Sequence, residues 1–300
     1  MKFMYTYQKD EPQQLKFFLK EQGISKGLLA KIKFQGGHLF VNGCEQNVLY
    51  LLTLGDQICV VTPDEAEHET LLLDETPIEI VFEDEHLLLV NKPAGVSSIP
   101  AQYHPNNTMA NRVKAYYKRR GYADQVVHVV TRLDRDTSGL MLFAKHGFAH
   151  AKLDVQLRKK EIIKKYQALL CGNIAELQEH GRIELPIGRD LTSIIKRQVT
   201  EDGRFAETEY WLSAKNDTLA FVDIQLHTGR THQIRVHFSA IGCPLVGDDM
   251  YGGTMALSLV RQALHCRHLQ FRHPFTNEQL VFDCPLPEDM KAIKETIDVR

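Results

Sequence analysis

Beyond about residue 78 the sequence is built from short apolar runs of strand length, and their spacing restricts the folds open to it. Runs at 78–82 and 87–90 flank a charged turn, Glu83-Asp84-Glu85-His86. Others follow at 126–130, 140–144, 165–170, 207–212 and 220–226. Helical periodicity is confined to about 108–120, 147–159 and 231–241, with more near 255–262 and at the C-terminus. A doubly wound parallel sheet needs a crossover helix between most successive strands, whereas many of these runs lie at hairpin distance. The pattern predicts an α+β fold on a mixed, largely antiparallel sheet.

A smaller unit precedes it. In 12–62, Leu15, Phe18 and Leu19 fall at helical spacing, Gly23 ends that helix, Ser25 is placed to cap a second, and Gly36-Gly37 stops it. Strands at 38–41 and 56–61 follow, the first leading into an Asn42-Gly43 turn. The acidic stretch 63–77 reads as a linker, and 78–290 as the larger, catalytic domain. This small α/β module therefore stands before the main sheet.

Hydrophobic residues make up 43% and charged residues 25%, with no run near the ~18 apolar residues of a membrane span. The first residues lack the apolar core of a secretory signal, so a cytoplasmic address is expected. The six cysteines form no C-x-x-C pair, which favours reduced thiols over a disulfide frame or a zinc cluster. Net charge is only −2, but it is unevenly spread: no Lys or Arg occurs from Phe34 to Asn91. Basic residues return as Arg112, Lys114, Lys118, Arg119 and Arg120, then as Arg158, Lys159, Lys160, Lys164 and Lys165. Taken alone these are solvated helix faces; beside a catalytic site they would line a phosphate track.

The chemistry centres on Arg132-Leu133-Asp134-Arg135-Asp136-Thr137-Ser138-Gly139, a polar octet held between apolar strands. By composition such a run is more often a salt-bridged turn than a site. Its order decides otherwise. R-L-D-R-D-T-S-G followed by L-x-L-F-A-K resembles the signature loop of RluA-type RNA pseudouridine synthases. Asn91-Lys92-Pro93-Ala94-Gly95, Lys165-Tyr166-Gln167-Ala168-Leu169 and Thr228-Gly229-Arg230-Thr231-His232-Gln233-Ile234-Arg235-Val236-His237 resemble three further segments of that family. Gly242-Cys243-Pro244-Leu245-Val246-Gly247-Asp248 continues the likeness, which covers almost the whole second domain. Thr131 departs from it, standing where the family usually has His. In the first module, G-I-S-K-x-x-L-x-K-I-K, V-N-G and L-G-D-Q-I-C-V resemble the alpha-L RNA-binding module shared with a small-subunit ribosomal protein, with Lys16, Lys20, Lys26, Lys31 and Lys33 as its phosphate contacts.

The resemblance implies the fold and the site. The reaction breaks the bond from the anomeric carbon to the base nitrogen, turns the uracil and rejoins it through carbon 5. It involves no net redox change, so no cofactor and no metal are expected. Asp134 is the indispensable carboxylate, attacking the anomeric carbon or stabilising its positive charge while a glycal forms. Arg235 is expected to pair with it, keeping it charged and aimed, with Thr231 as the cap that sets Arg235 one turn into its helix. Tyr166 is expected to pack its ring on the target uracil, its hydroxyl serving as acid or base. The partner is structured RNA, ribosomal RNA before transfer RNA, with the target uridine turned out of its stack and Arg132 filling the gap. Lys92, Arg112, Lys114, Arg119 and Arg120 are expected to contact the RNA backbone. Thr137, Ser138 and Gly139 are expected to shape the loop, and Arg230 to order the turn before the helix. His265, Cys266 and His268 are ligand-like in composition but read as packing residues, and a monomer is the default. Two alternatives stand beside this reading: a non-catalytic RNA-binding relative, and a hydrolase releasing uracil, for which Asp136 is the one further carboxylate singled out.

Overall fold

In the computed structural model, residues 1–65, 70–101, 105–255 and 259–298 are described. The first unit comprises β1 (Lys2–Thr6), β2 (Gln13–Gln14), α1 (Leu15–Glu21), α2 (Lys26–Phe34), β3 (His38–Val41), β4 (Cys44–Glu45), β5 (Leu51–Leu52) and β6 (Gln57–Val61). Its four-stranded sheet runs β1-β6-β3-β4, and β2 pairs with β5. Local chemistry sets these limits. Ser25 Oγ accepts the Leu28 N–H at 3.1 Å and caps α2. Asn42 and Gly43 both take positive φ, 51° and 80°, as a two-residue hairpin demands. Leu15, Phe18, Leu19 and Ile32 of the helices pack on Leu39, Val41, Ile58 and Val60 of the sheet.

The unit starts earlier than 12. β1 pairs with β6 along its full length, and its Phe3 stacks edge-on against Phe148 and face-on against Phe275, at 5.0 and 5.2 Å, both in the larger domain. The sequence hides this strand because only Phe3 of Lys2–Thr6 is buried.

The larger domain adds β7 (Glu79–Glu83), β8 (Leu87–Lys92), α3 (Met109–Arg120), β9 (His128–Val129), β10 (Ser138–Ala144), α4 (Gly147–Arg158) and β11 (Ile163–Leu170). There follow β12 (His180–Ile183), β13 (Ile187–Arg189), β14 (Arg197–Val199), β15 (Thr208–Lys215), β16 (Ala220–Leu226), α5 (Gln233–Ala240), β17 (Leu264–Arg272), β18 (Gln279–Asp283) and α6 (Glu288–Asp298). The ten-stranded sheet has the order β12-β15-β16-β11-β17-β10-β8-β7, with β18 on β17 and β9 on β10. Every pairing within it is antiparallel except β10 with β17. The sheet is therefore mixed and largely antiparallel, in an α+β arrangement.

That parallel pairing positions the site. Gly139 lies opposite Cys266, which in turn lies opposite Tyr166, so the signature loop and β11 meet across one strand. The approach is close: a Cβ on Gly139 (φ 113°) would fall 2.2 Å from the Cys266 carbonyl oxygen, so only glycine fits.

Several expectations are corrected. The run at 126–130 contributes only the short β9. Residues 259–262 are not helical, and 256–258 lie outside the described residues. The helix expected at 231–241 starts at Gln233, and α6 continues past 290, docking through Met290, Ile293 and Ile297. β17, at the heart of the sheet, is masked in sequence by His265, Arg267, His268 and Arg272.

Candidate active site

The signature loop is pinned at both ends and open in the middle. At its start Thr131 is buried; its N–H donates to the Leu142 carbonyl and its Oγ1 accepts the Leu142 N–H, at 3.2 and 2.9 Å. The residue that departs from the family pattern thus anchors the loop to β10. Ser98 Oγ accepts the Leu133 N–H at 3.0 Å and donates to the Leu133 carbonyl at 2.6 Å. At the far end Thr137 Oγ1 accepts from Gln262, and Ser138 Oγ meets His265 Nδ1 at 3.0 Å. Between these anchors, side chains alternate: Leu133 is buried, while Arg132 and Arg135 are exposed and Asp134 is half-buried.

Arg235 reaches this loop from α5. Thr231 does not cap that helix; the cap position is His232, in the left-handed region at φ 58°, without a side-chain capping bond. Gln233 does the ordering instead. Its Oε1 accepts from Thr228 Oγ1 and the Arg230 N–H, at 2.7 and 2.9 Å, and its Nε2 donates to the Glu207 carbonyl and Thr208 Oγ1. Arg230 also donates to the Phe205 carbonyl. Arg235 is then gripped by Asp248, whose two carboxylate oxygens accept from Nε and Nη2 at 2.7 and 2.8 Å. Asp248 is fully buried, so the fork is fixed in direction. The remaining nitrogen, Nη1, lies 3.6 Å from Asp134 Oδ2.

Tyr166 completes the group. Burial, with the Cys266 thiol and the Asp134 charge nearby, raises its hydroxyl well above the usual phenol range. It keeps its proton at neutral pH and can act as a donor or acid, not as a base. Asp134, Tyr166, Arg235 and Arg132 all line one open cavity of about 900 Å³. Its basic wall includes Arg158, Lys160 and Lys164. Asp136 is engaged by Arg135, whose Nη2 donates to it at 2.9 Å.

The other expected RNA contacts are placed elsewhere. Lys92 is fully buried, and its ammonium donates to the carbonyls of Pro93, Val96 and Arg135 at 2.9, 2.7 and 2.8 Å. It ties the Asn91–Gly95 segment to the signature loop. Burial pulls its pKa down to about 7 against the pull of Asp136 and Asp134. Arg112 donates to Asp74 at 3.0 Å, and buried Lys114 donates to the Leu71 carbonyl at 2.6 Å. Arg119 pairs with Glu75, and Arg120 lies against Tyr122. The stretch expected as a free linker is therefore, over 71–75, a strap along α3; 66–69 lie outside the described residues. His265 and His268 point to different partners, Ser138 and Asp283. Among the described residues no three His, Cys, Asp or Glu are grouped to hold a metal ion, and no helix is long and apolar enough to cross a membrane.

Residues 86–240 match the family described as RNA pseudouridylate synthase. The chain is 47% identical over 279 residues to "Uncharacterized RNA pseudouridine synthase YjbO" of Bacillus subtilis (strain 168), covering 93% of this chain and 97% of that one. The chain belongs to the RNA pseudouridylate synthase family. Within it this synthase is of the RluA type, an intramolecular isomerase acting on RNA. It is also 37% identical over 266 residues to "Ribosomal large subunit pseudouridine synthase D" of Pseudomonas aeruginosa, covering 84% of this chain and 82% of that protein. Among solved structures, human RNA Pseudouridylate Synthase Domain Containing 4 superposes with a TM-score of 0.60 at 22% identity, over 73% of this chain and 93% of that one, a likeness of fold.

Three residues of the candidate site stand in the family-like segments with no role given to them by sequence: Asp248, Gln233 and His232. Asp248 carried a weak signal, since it directly follows the apolar string Cys243 to Gly247, where a buried carboxylate would call for a cation. Gln233 and His232 carried none, because Gln233 bridges near partners, Thr228 and Arg230, to the distant Glu207 and Thr208, and His232 meets Tyr251 only in space.

Proposed function

We propose that this synthase isomerises specific uridines in structured RNA, ribosomal RNA in preference to transfer RNA, through the carboxylate of Asp134. One observation carries the reading: a half-exposed carboxylate in an open cavity, 3.6 Å from a guanidinium that a fully buried second carboxylate already holds in direction. Such an oxygen pair is aimed by a fixed cation and is free to act at an anomeric carbon. Arg235 steadies it, and Tyr166 offers a ring for the uracil with a hydroxyl that retains its proton. The balance is an isomerisation: C1′–N1 breaks, C1′–C5 forms, N1 gains a proton and C5 loses one.

Arg132, exposed at the cavity and bonded to no described residue, is suited to fill the gap left by the extruded uridine. Among the expected backbone contacts only Arg119 and Arg120 remain outward-facing, so the phosphate track shifts to the cavity's own cations. The first module resembles a ribosomal RNA-binding unit, and Lys20, Lys26, Lys31 and Lys33 are exposed on its helices, which supports a second RNA contact there. The name of the Pseudomonas relative, a ribosomal large subunit synthase, supports a ribosomal target.

The test is pseudouridine mapping across total cellular RNA with and without this protein, paired with product analysis in vitro. Positions lost with the protein, and pseudouridine rather than free uracil as product, support the reading. Free uracil would indicate a hydrolase, and unchanged RNA a binding protein.

A further inference from the structure

His232 lies in the cavity wall beside Asp134. Its backbone is held in the left-handed region, which a residue with a Cβ adopts only under constraint from its surroundings. Its ring is turned by specific partners. Nδ1 lies 2.9 Å from the Tyr251 hydroxyl oxygen, and that oxygen accepts the Arg197 backbone N–H at 2.9 Å. Among the described residues the hydroxyl proton has no acceptor other than Nδ1, so a neutral imidazole carries its own proton on Nε2. Burial lowers the His232 pKa, aided by Arg235 and opposed by Asp134, which favours that neutral form.

The Nε2 side faces Asp134. It stands 4.0 Å from Oδ2, the same oxygen that Arg235 Nη1 approaches at 3.6 Å. Both donors are therefore gathered on one side of the carboxylate. The Tyr251 ring also lies beneath the Arg235 guanidinium, 4.9 Å from it, so one tyrosine supports both arms.

We propose that His232 is a second positioning residue for the Asp134 carboxylate: with Arg235 it secures Oδ2 and leaves Oδ1 to meet the anomeric carbon. This rests on the functional reading above. The strand β14 that supplies the Arg197 N–H thereby sets the ring, so the β13–β14 hairpin must be seated for the carboxylate to be fully aimed.

Two amide variants separate this role from a backbone one. Asn suits a left-handed φ better than other non-glycine residues and places its amide near the position of Nδ1, while Gln reaches the position of Nε2. With total RNA from cells lacking this protein as substrate, single-turnover pseudouridine formation should fall about tenfold or more in H232N and stay within about threefold of wild type in H232Q. RNA affinity should be unchanged in both. H232N as fast as wild type, equal losses in both variants, or a loss confined to RNA affinity would overturn the proposal. If H232N does not fold, Y251F carries the test: a rate about fivefold lower is expected, and an unchanged rate overturns it. Wild-type protein that forms no pseudouridine would instead remove the functional reading itself, a result distinct from an active wild type with an equally active H232N.

Discussion

Helix α3 and the cavity wall both carry arginines and lysines, but they spend them differently. α3 turns Arg112 onto Asp74, Lys114 onto the Leu71 carbonyl and Arg119 onto Glu75, all in one strap of the chain. The cavity leaves the side chains of Arg132 and Lys160 with no hydrogen bond or ion pair to any described residue. A cation bound to the chain's own acid adds stability; one left unmet in a cleft is available to a phosphate. The difference teaches that a basic run in sequence says little until its acidic partners are found, and here they lie about forty residues upstream.

Substitutions can break or sharpen that contrast. The largest effect is expected at Arg132. If it fills the gap left by the extruded uridine, Arg132→Ala should slow single-turnover isomerisation about 100-fold while leaving thermal unfolding unchanged. A matching loss of stability would instead place Arg132 with the structural cations of α3.

Arg112→Ala should do the reverse, lowering unfolding free energy by about 2 kcal/mol with no change in RNA affinity, because its carboxylate partner is largely buried. The strap also predicts a pH signature. Burial raises Asp74, but bonds from Thr76 and Arg112 outweigh it and hold it below its ordinary value of 3.8. The unfolded chain then takes up this proton first, so the contribution is complete above that value and is lost as pH falls through the folded pKa. Unfolding followed from pH 5 to about 3 should show a shallower dependence in Arg112→Ala than in wild type.

Lys160→Ala should have the smallest effect. RNA binding should weaken about threefold, with the salt dependence reduced by about one unit of slope, and stability should hold. An unaltered slope would mean that the RNA backbone does not follow this side of the cavity.

Much of the architecture was legible in the sequence because hairpin-spaced runs and helix caps are local signals. Ser25, Asn42-Gly43 and the run at 140–144 each acted where they stand. β1 and β17 were not legible: the first buries one residue, and the second alternates histidines and arginines with its apolar positions. At the site, Asp134, Tyr166 and Arg235 could be named from the order of their motifs, and they line one cavity. Lys92 could not be understood that way. Its motif position suggested a phosphate, yet three carbonyl oxygens surround its ammonium, an arrangement visible only once the loop of Arg135 folds over it. Asp248 was missed for a similar reason, since its importance comes from the guanidinium it meets in space.

The most direct measurement is pseudouridine formation by Asp134→Asn under single-turnover conditions, with binding of the same RNA measured in parallel. The Asn side chain keeps the shape and removes the charge that Arg235 aims. Product should fall below detection while RNA affinity stays within about threefold of wild type. An Asn variant that still isomerises uridine at a comparable rate would contradict the role given to this carboxylate.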